Sequence, residues 1–264
     1  MRLLLISIFV FLLYSCRNSS IQYNLASVQS KTTGNVRIDT IRINKILSLN
    51  EPRVKILKEG LYHQGEINPN LLHRSWKGLF ANDNRNYISD VSVKIVPAFD
   101  DMMDEPGKKT GILVKAINED TSILLISGLP LKNIPVKRLG SYLQVLPGEK
   151  INFKYKNNTY RLYATGEKKL DSVSKAYNIT AYKLFVETTL NRHHYIQLLV
   201  DIPAYEGPFH TIIKFIGDID NDGVPDLIID TSNYYGGENS TLFLSHPSKT
   251  NVLYTIAGGI TATA

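Results

Sequence analysis

From Val36 onward, short runs rich in apolar and β-branched residues follow one another between turn formers, some alternating with period two, and that pattern suits strands rather than helices. The run VRIDTIRINKIL opens the pattern, with Val36, Ile38 and Thr40 on one face. Further runs lie at 91–96 (VSVKIV), 111–117 (GILVKAI), 122–126 (SILLI), 151–155 and 160–164. The series continues at 181–187 (AYKLFVE), 195–200, 211–216, 226–229 and 241–244. The expected fold is mainly β, with antiparallel sheets in a sandwich or barrel-like arrangement and one or two short helices.

Turn formers punctuate these runs. Asn157-Asn158 separates INFKYK from TYRLYA as a tight hairpin would, and Pro106-Gly107 and Pro147-Gly148 mark further turns. Helical spacing is sparse. Leu71, Leu72, Ser75, Trp76 and Leu79 predict a short helix over 70–80 with Asn70 as its cap, and a weaker one is expected at 131–139, interrupted by Pro135. Residues 35–140 and 141–264 read as two β-rich regions, the second carrying an acidic loop. A boundary near 139–148 and one continuous domain are both compatible with the length.

The N-terminus reads as a targeting segment. Arg2 precedes the apolar run LLLISIFVFLL, which is short for a membrane span but suits the core of a secretory signal peptide at 1–15. The run ends in Leu13-Tyr14-Ser15-Cys16, which resembles a bacterial lipobox, although Tyr14 stands where a small or aliphatic residue is usual. Cys16 is the only cysteine in the chain, so no internal disulfide can form. The resemblance makes Cys16 the lipidation site, whose acyl chains, palmitate among them, would hold the protein at a membrane surface. Residues 16–34 then form a polar tether, rich in Ser, Thr, Asn and Gln. No acidic cluster follows Cys16, so the expected location is the bacterial cell envelope, on the outer membrane facing the periplasm.

The most specific chemistry lies at Asp218-Ile219-Asp220-Asn221-Asp222-Gly223-Val224-Pro225-Asp226, with carboxylates at positions 1, 3, 5 and 9 of nine residues and glycine at 6. Such charge density repels itself unless a cation neutralises it, and oxygen donors at this spacing suit calcium, Ca2+. Position 12 is Ile229, so the bidentate glutamate of an EF-hand is missing. Apolar strand-like residues flank the loop instead of amphipathic helices. The stretch GDIDNDGVPDLIID resembles the calcium loops of FG-GAP-type repeats. That resemblance implies Asp218, Asp220, Asp222 and Asp226 as side-chain ligands and Val224 as a carbonyl ligand, with Asp230 or a water completing the shell. A propeller needs repeated units, and the chain carries one copy.

Other groups carry less. The net charge of +6 is spread over scattered lysines and arginines, with no arginine-rich helix or basic–aromatic alternation, so no nucleic-acid partner is expected. His193-His194 reads as a hairpin turn, and His63, His73, His210 and His246 lack metal-ligand spacing. The acids of DDMMDE (Asp100, Asp101, Asp104, Glu105) read as a solvated loop. Trp76, Tyr62 and Phe80 form either a core cluster or a sugar platform. The tract 231–240, with Tyr234 and Tyr235, reads as a hairpin connection or an exposed recognition loop.

Two functional expectations follow. One is a calcium-binding envelope lipoprotein acting as a non-enzymatic binding or scaffold module, with a protein or glycan partner. The other is a secreted envelope hydrolase with a structural calcium site and acids scattered through the chain.

Overall fold

The computed structural model of the chain describes residues 53–83, 85–207, 210–233, 236–246 and 252–263, which fall in one unit of the chain. The expected signal peptide, Cys16, the tether and the run at 36–47 lie outside the described residues. The described residues form four antiparallel sheets and a lone 3-10 turn, and none of these sheets closes into a barrel. The mainly β expectation holds.

The first sheet runs in the order β1 (Lys55–Leu57), β7 (Thr121–Ser127), β3 (Trp76–Ala81), β4 (Asn86–Val91) and β8 (Ile134–Val136). A small sheet joins β2 (Gly60–Tyr62), β6 (Gly111–Ala116) and β5 (Val93–Ala98). The third contains β12 (His193–Ala204), β11 (Tyr177–Leu190), β10 (Asn158–Leu170) and β9 (Lys150–Tyr155). The fourth runs β13 (Ile212–Gly217), β14 (Asp226–Asp230), β15 (Gly237–Ser245) and β16 (Tyr254–Thr263).

This fourth sheet is covered on both faces. Leu227 and Ile229 enter the core shared with Tyr160, Leu162, Leu184 and Val200 of the third sheet. Ile228, between them, enters a second core with Leu79, Ile88, Leu124 and Ile126 of the first sheet. Alternate side chains of a strand point to opposite faces, so a strand clad on both sides must be apolar at consecutive positions. Leu227-Ile228-Ile229 is such a run, and all three are fully buried. In β13 a bulge between Ile213 and Phe215 resets the alternation, placing Ile213 in the first core and Phe215 in the second. The first sheet repeats the pattern, with Leu125 turned toward a third core that contains Tyr62, Trp76, Ile95 and Val114.

Several local expectations change. Residues 70–80 do not form one helix. Only Pro69–His73 is helical, as a 3-10 turn capped by Asn68 rather than Asn70, and Trp76 begins β3. Two partner strands outweigh the helical spacing: Gly78 pairs with Ser89 on one side and Leu125 on the other. The segment at 131–139 contains the short β8 instead of a helix. Pro135 is tolerated there because β8 lies at the sheet edge, pairing with β4 alone. The β9–β10 turn falls on Lys156-Asn157, one residue before the expected pair, with Lys156 at φ 50°. The β11–β12 turn uses Asn191 and Arg192, both at positive φ, so His193 and His194 begin a strand and do not form the turn.

A charged knot ties one end of the fourth sheet to the first. Glu238 on β15 accepts from Lys58 Nζ at 2.5 Å, from Ser240 Oγ, and from Lys214 of β13. Burial pushes its pKa up, but the bonds from Lys214, Lys58 and Ser240 outweigh burial and hold it at about 2. A depressed carboxylate contributes stability that is complete above its unfolded value and disappears as pH falls through the folded one. Glu238→Gln should therefore lower stability at neutral pH, and the gap to wild type should close between pH 4.5 and pH 2. Denaturant unfolding at a series of pH values measures it, and a gap independent of pH would contradict the assignment.

Candidate metal centre

The acidic loop joins β13 to β14, the two strands most enclosed by the cores, and its ends are fixed by their pairing from Gly217↔Asp226 inward. Gly223 holds φ +97°, the left-handed backbone that folds the loop back on itself. Asn221, also at positive φ, makes the companion turn.

Asp218, Asp220 and Asp222 converge, each offering an oxygen within 4.8 Å of the others, and this is the one such cluster among the described residues. Asp218 is buried, Asp220 half-buried and Asp222 exposed, so the site is anchored inside and open outward. Asp218 Oδ2 accepts from Tyr155 OH at 2.9 Å and from Gly223 N at 3.0 Å. Its other oxygen, Oδ1, is buried with no hydrogen-bond partner. A buried carboxylate oxygen without a donor is costly, and a cation is what would satisfy it. Asp222 Oδ1 accepts from Val224 N at 2.8 Å, and Ser245 Oγ on β15 lies 3.2 Å from its Oδ2. Asp220 Oδ1 accepts from Asp222 N at 3.2 Å.

The electrostatics agree with the geometry. Burial, then repulsion from Asp220 and Asp218, pushes the Asp222 carboxyl up to about 6. Burial and Asp218 likewise raise Asp220, although His246 draws it back down in part. The Tyr155 phenol is pushed up to about 12 by burial and by its bond to Asp218. These carboxylates resist being charged together, the state that a divalent cation favours. An all-oxygen donor set with one oxygen unsatisfied fits a hard cation.

Of the remaining expected ligands, Asp226 and Asp230 are not part of this cluster. Asp226 is fully buried, and its two oxygens accept from Ile219 N at 2.6 Å and Ser245 N at 2.9 Å. It fastens the loop from beneath, and burial together with Asp220 raises its pKa well above the ordinary value. Asp230 Oδ1 accepts from Ser232 N and Asn239 N, and its Oδ2 lies 3.4 Å from Lys214 Nζ. The Val224 carbonyl lies 3.4 Å from Ser245 Oγ.

Sequence patterning misses Tyr155, Ser245, Tyr160 and Tyr254, which belong to other strands. Tyr254 donates to Pro225 O at 2.8 Å under the loop, and the buried Tyr160 hydroxyl, like Asp218 Oδ1, has no partner. No local spacing announces them, because the sheet topology alone brings them to the loop.

Elsewhere, the DDMMDE segment is not simply solvated. Asp100 is fully buried and accepts from His63 Nδ1 at 2.5 Å, which raises the His63 pKa. Asp104 accepts from Asp100 N, Thr110 N and Thr110 Oγ1. These acids pin the β5–β6 loop to the end of β2. Tyr62, Trp76 and Phe80 are buried, so they are core and not a sugar platform. Tyr234 and Tyr235 lie outside the described residues.

No family model matches the chain, and neither a curated protein nor a solved structure does so.

Because the Asp222 charge is disfavoured in the cation-free fold, its neutral isostere relieves repulsion. Asp222→Asn should melt at or above wild type in chelator, yet lose stabilisation on adding a divalent cation. Calorimetric melting in both conditions checks this, and a variant less stable than wild type in chelator would contradict it.

Proposed function

We propose that this protein is a calcium-binding lipoprotein of the bacterial cell envelope, whose β body serves as a non-enzymatic binding or scaffold module. The observation that carries the calcium reading is the convergence of Asp218, Asp220 and Asp222 around a buried carboxylate oxygen that no donor satisfies. Oxygen-only donors on a loop with one open side suit calcium better than magnesium, which demands near-ideal octahedral geometry. The likeness to FG-GAP-type loops supports the same reading, since this turn also joins two adjacent antiparallel strands. Asp226 would then hold the loop rather than the ion, with Val224 O or water filling the outer positions.

A structural role follows from the connections. Asp218 is bonded to Tyr155 at the end of β9, and Asp222 to Ser245 at the end of β15, so a bound cation fastens two sheets, as a disulfide would, for as long as it is held. With Cys16 as the only cysteine, the chain has no such bridge of its own. Membrane attachment rests on Leu13-Tyr14-Ser15-Cys16. Among the described residues no helix is long and apolar enough to cross a membrane.

Calcium should raise the melting temperature of the full chain and chelator should lower it, by several degrees if the site contributes about 1–2 kcal/mol. The double variant Asp220→Ala, Asp222→Ala should show neither response. An unchanged melting curve for wild type would remove the calcium reading. Turnover of an envelope polymer that falls with chelator and returns with calcium would favour the hydrolase instead. Cys16→Ser should leave the protein soluble after membrane fractionation and without incorporated fatty acid; a membrane-bound, labelled variant would contradict lipidation at that residue.

A further inference from the structure

The loop carries more negative charge than its own hydrogen bonds offset, and besides His246, which acts on Asp220, a second basic side chain approaches from a different sheet. Lys156 lies at the tip of the β9–β10 hairpin, in left-handed backbone at φ 50°. Its Nζ reaches the acidic loop so closely that a Cβ on Gly223 would stand 2.8 Å from it. The preceding residue, Tyr155, donates to Asp218 Oδ2 at 2.9 Å, and the Lys156 ammonium lies 5.4 Å from that ring's centroid. One hairpin thus delivers a phenol to the buried end of the acidic cluster and an ammonium to the backbone of its turn. Gly223 serves two needs here, the positive φ and the empty space that the ammonium fills.

We propose that Lys156 is the resident counter-charge of the acidic loop and that a divalent cation displaces it. The inference rests on the reading of Asp218, Asp220 and Asp222 as a cation site. Among the described residues Lys156 makes no ion pair with these carboxylates, so its counter-charge acts through space, and a divalent ion entering the cluster repels an ammonium so near. The four-carbon stem of lysine lets the ammonium swing into solvent without moving the backbone. Lys156 therefore keeps the cation-free loop folded and weakens cation affinity at the same time. Occupancy then follows the calcium concentration outside the protein, as in extracellular modules of low affinity, and the site is not a permanent clamp. The displaced side chain sits on a hairpin tip, so loading also changes the charge presented on that surface.

The test is calcium titration of the full chain by calorimetry, comparing wild type with Lys156→Gln and Lys156→Arg. Lys156→Gln should bind calcium about tenfold more tightly, the scale of one partly exposed charge beside a divalent ion, and Lys156→Arg should bind more nearly as wild type does. A wild type that binds no calcium overturns both this proposal and the reading beneath it. A wild type that binds, with Lys156→Gln no tighter, overturns the counter-charge alone and leaves the site standing. Amine labelling of wild type read by mass spectrometry gives a second measure that needs no variant. The Lys156 amine should react faster in calcium than in chelator, and equal rates would overturn its displacement.

Discussion

Strands β13 and β14 are buried on both faces, and the turn that lets them pair must crowd acidic side chains at the rim of two cores. That pairing is the constraint that organises everything around it. Sheets from both halves of the sequence pack against the β13–β16 sheet, so its register determines how each core is filled. Apolar burial favours the pairing, while repulsion among Asp218, Asp220 and Asp222 opposes the turn. The loop answers with backbone amides aimed at carboxylates and with Asp226 as an internal fastening. The convergence of Asp218, Asp220 and Asp222 that these leave in place could hold a metal ion.

Besides the bonds within the turn itself, side chains from distant parts of the chain hold the loop. Tyr155 reaches it from the third sheet, Ser245 from β15 and Tyr254 from β16. A similar logic governs the far end of the fourth sheet, where Glu238 gathers Lys58 and Lys214. The two ends have opposite electrostatics. Glu238 has ammonium partners enough to depress its pKa, whereas Asp220, Asp222 and Asp226 of the turn carry raised values. The surplus of negative charge lies at the end where Asp218, Asp220 and Asp222 converge.

Period-two patterning makes half-buried strands such as β5, β6, β9 and β10 legible in the amino-acid sequence, while β7, β13, β14 and β15 show as short apolar runs between turn formers, as strands covered on both faces do. Strand β3 is hidden there, since Leu71, Leu72, Trp76 and Leu79 fit a helical face equally well and only pairing with β4 and β7 decides the matter. Strand β16 is hidden by composition: its Gly258 and Gly259 weaken any strand signal, and its register comes from β15. Of the site, the aspartates are legible from spacing, and which of them converge is not. Asp226 fits the ligand spacing, yet its oxygens are taken by the amides of Ile219 and Ser245. Tyr155 and Lys156 carry no sequence signal at all, because their place beside the loop is a product of tertiary packing.

Terbium luminescence excited through tyrosine reads the cation site at its source. Terbium takes oxygen donors as calcium does, and the Tyr155 phenol touches Asp218 directly, close enough to sensitise an ion in the cluster. A cation site at this turn predicts sensitised emission on adding terbium to the full chain, its loss on adding excess calcium, and its loss in the Asp220→Ala, Asp222→Ala variant. Emission absent from the wild type, or undiminished in the variant, would contradict it.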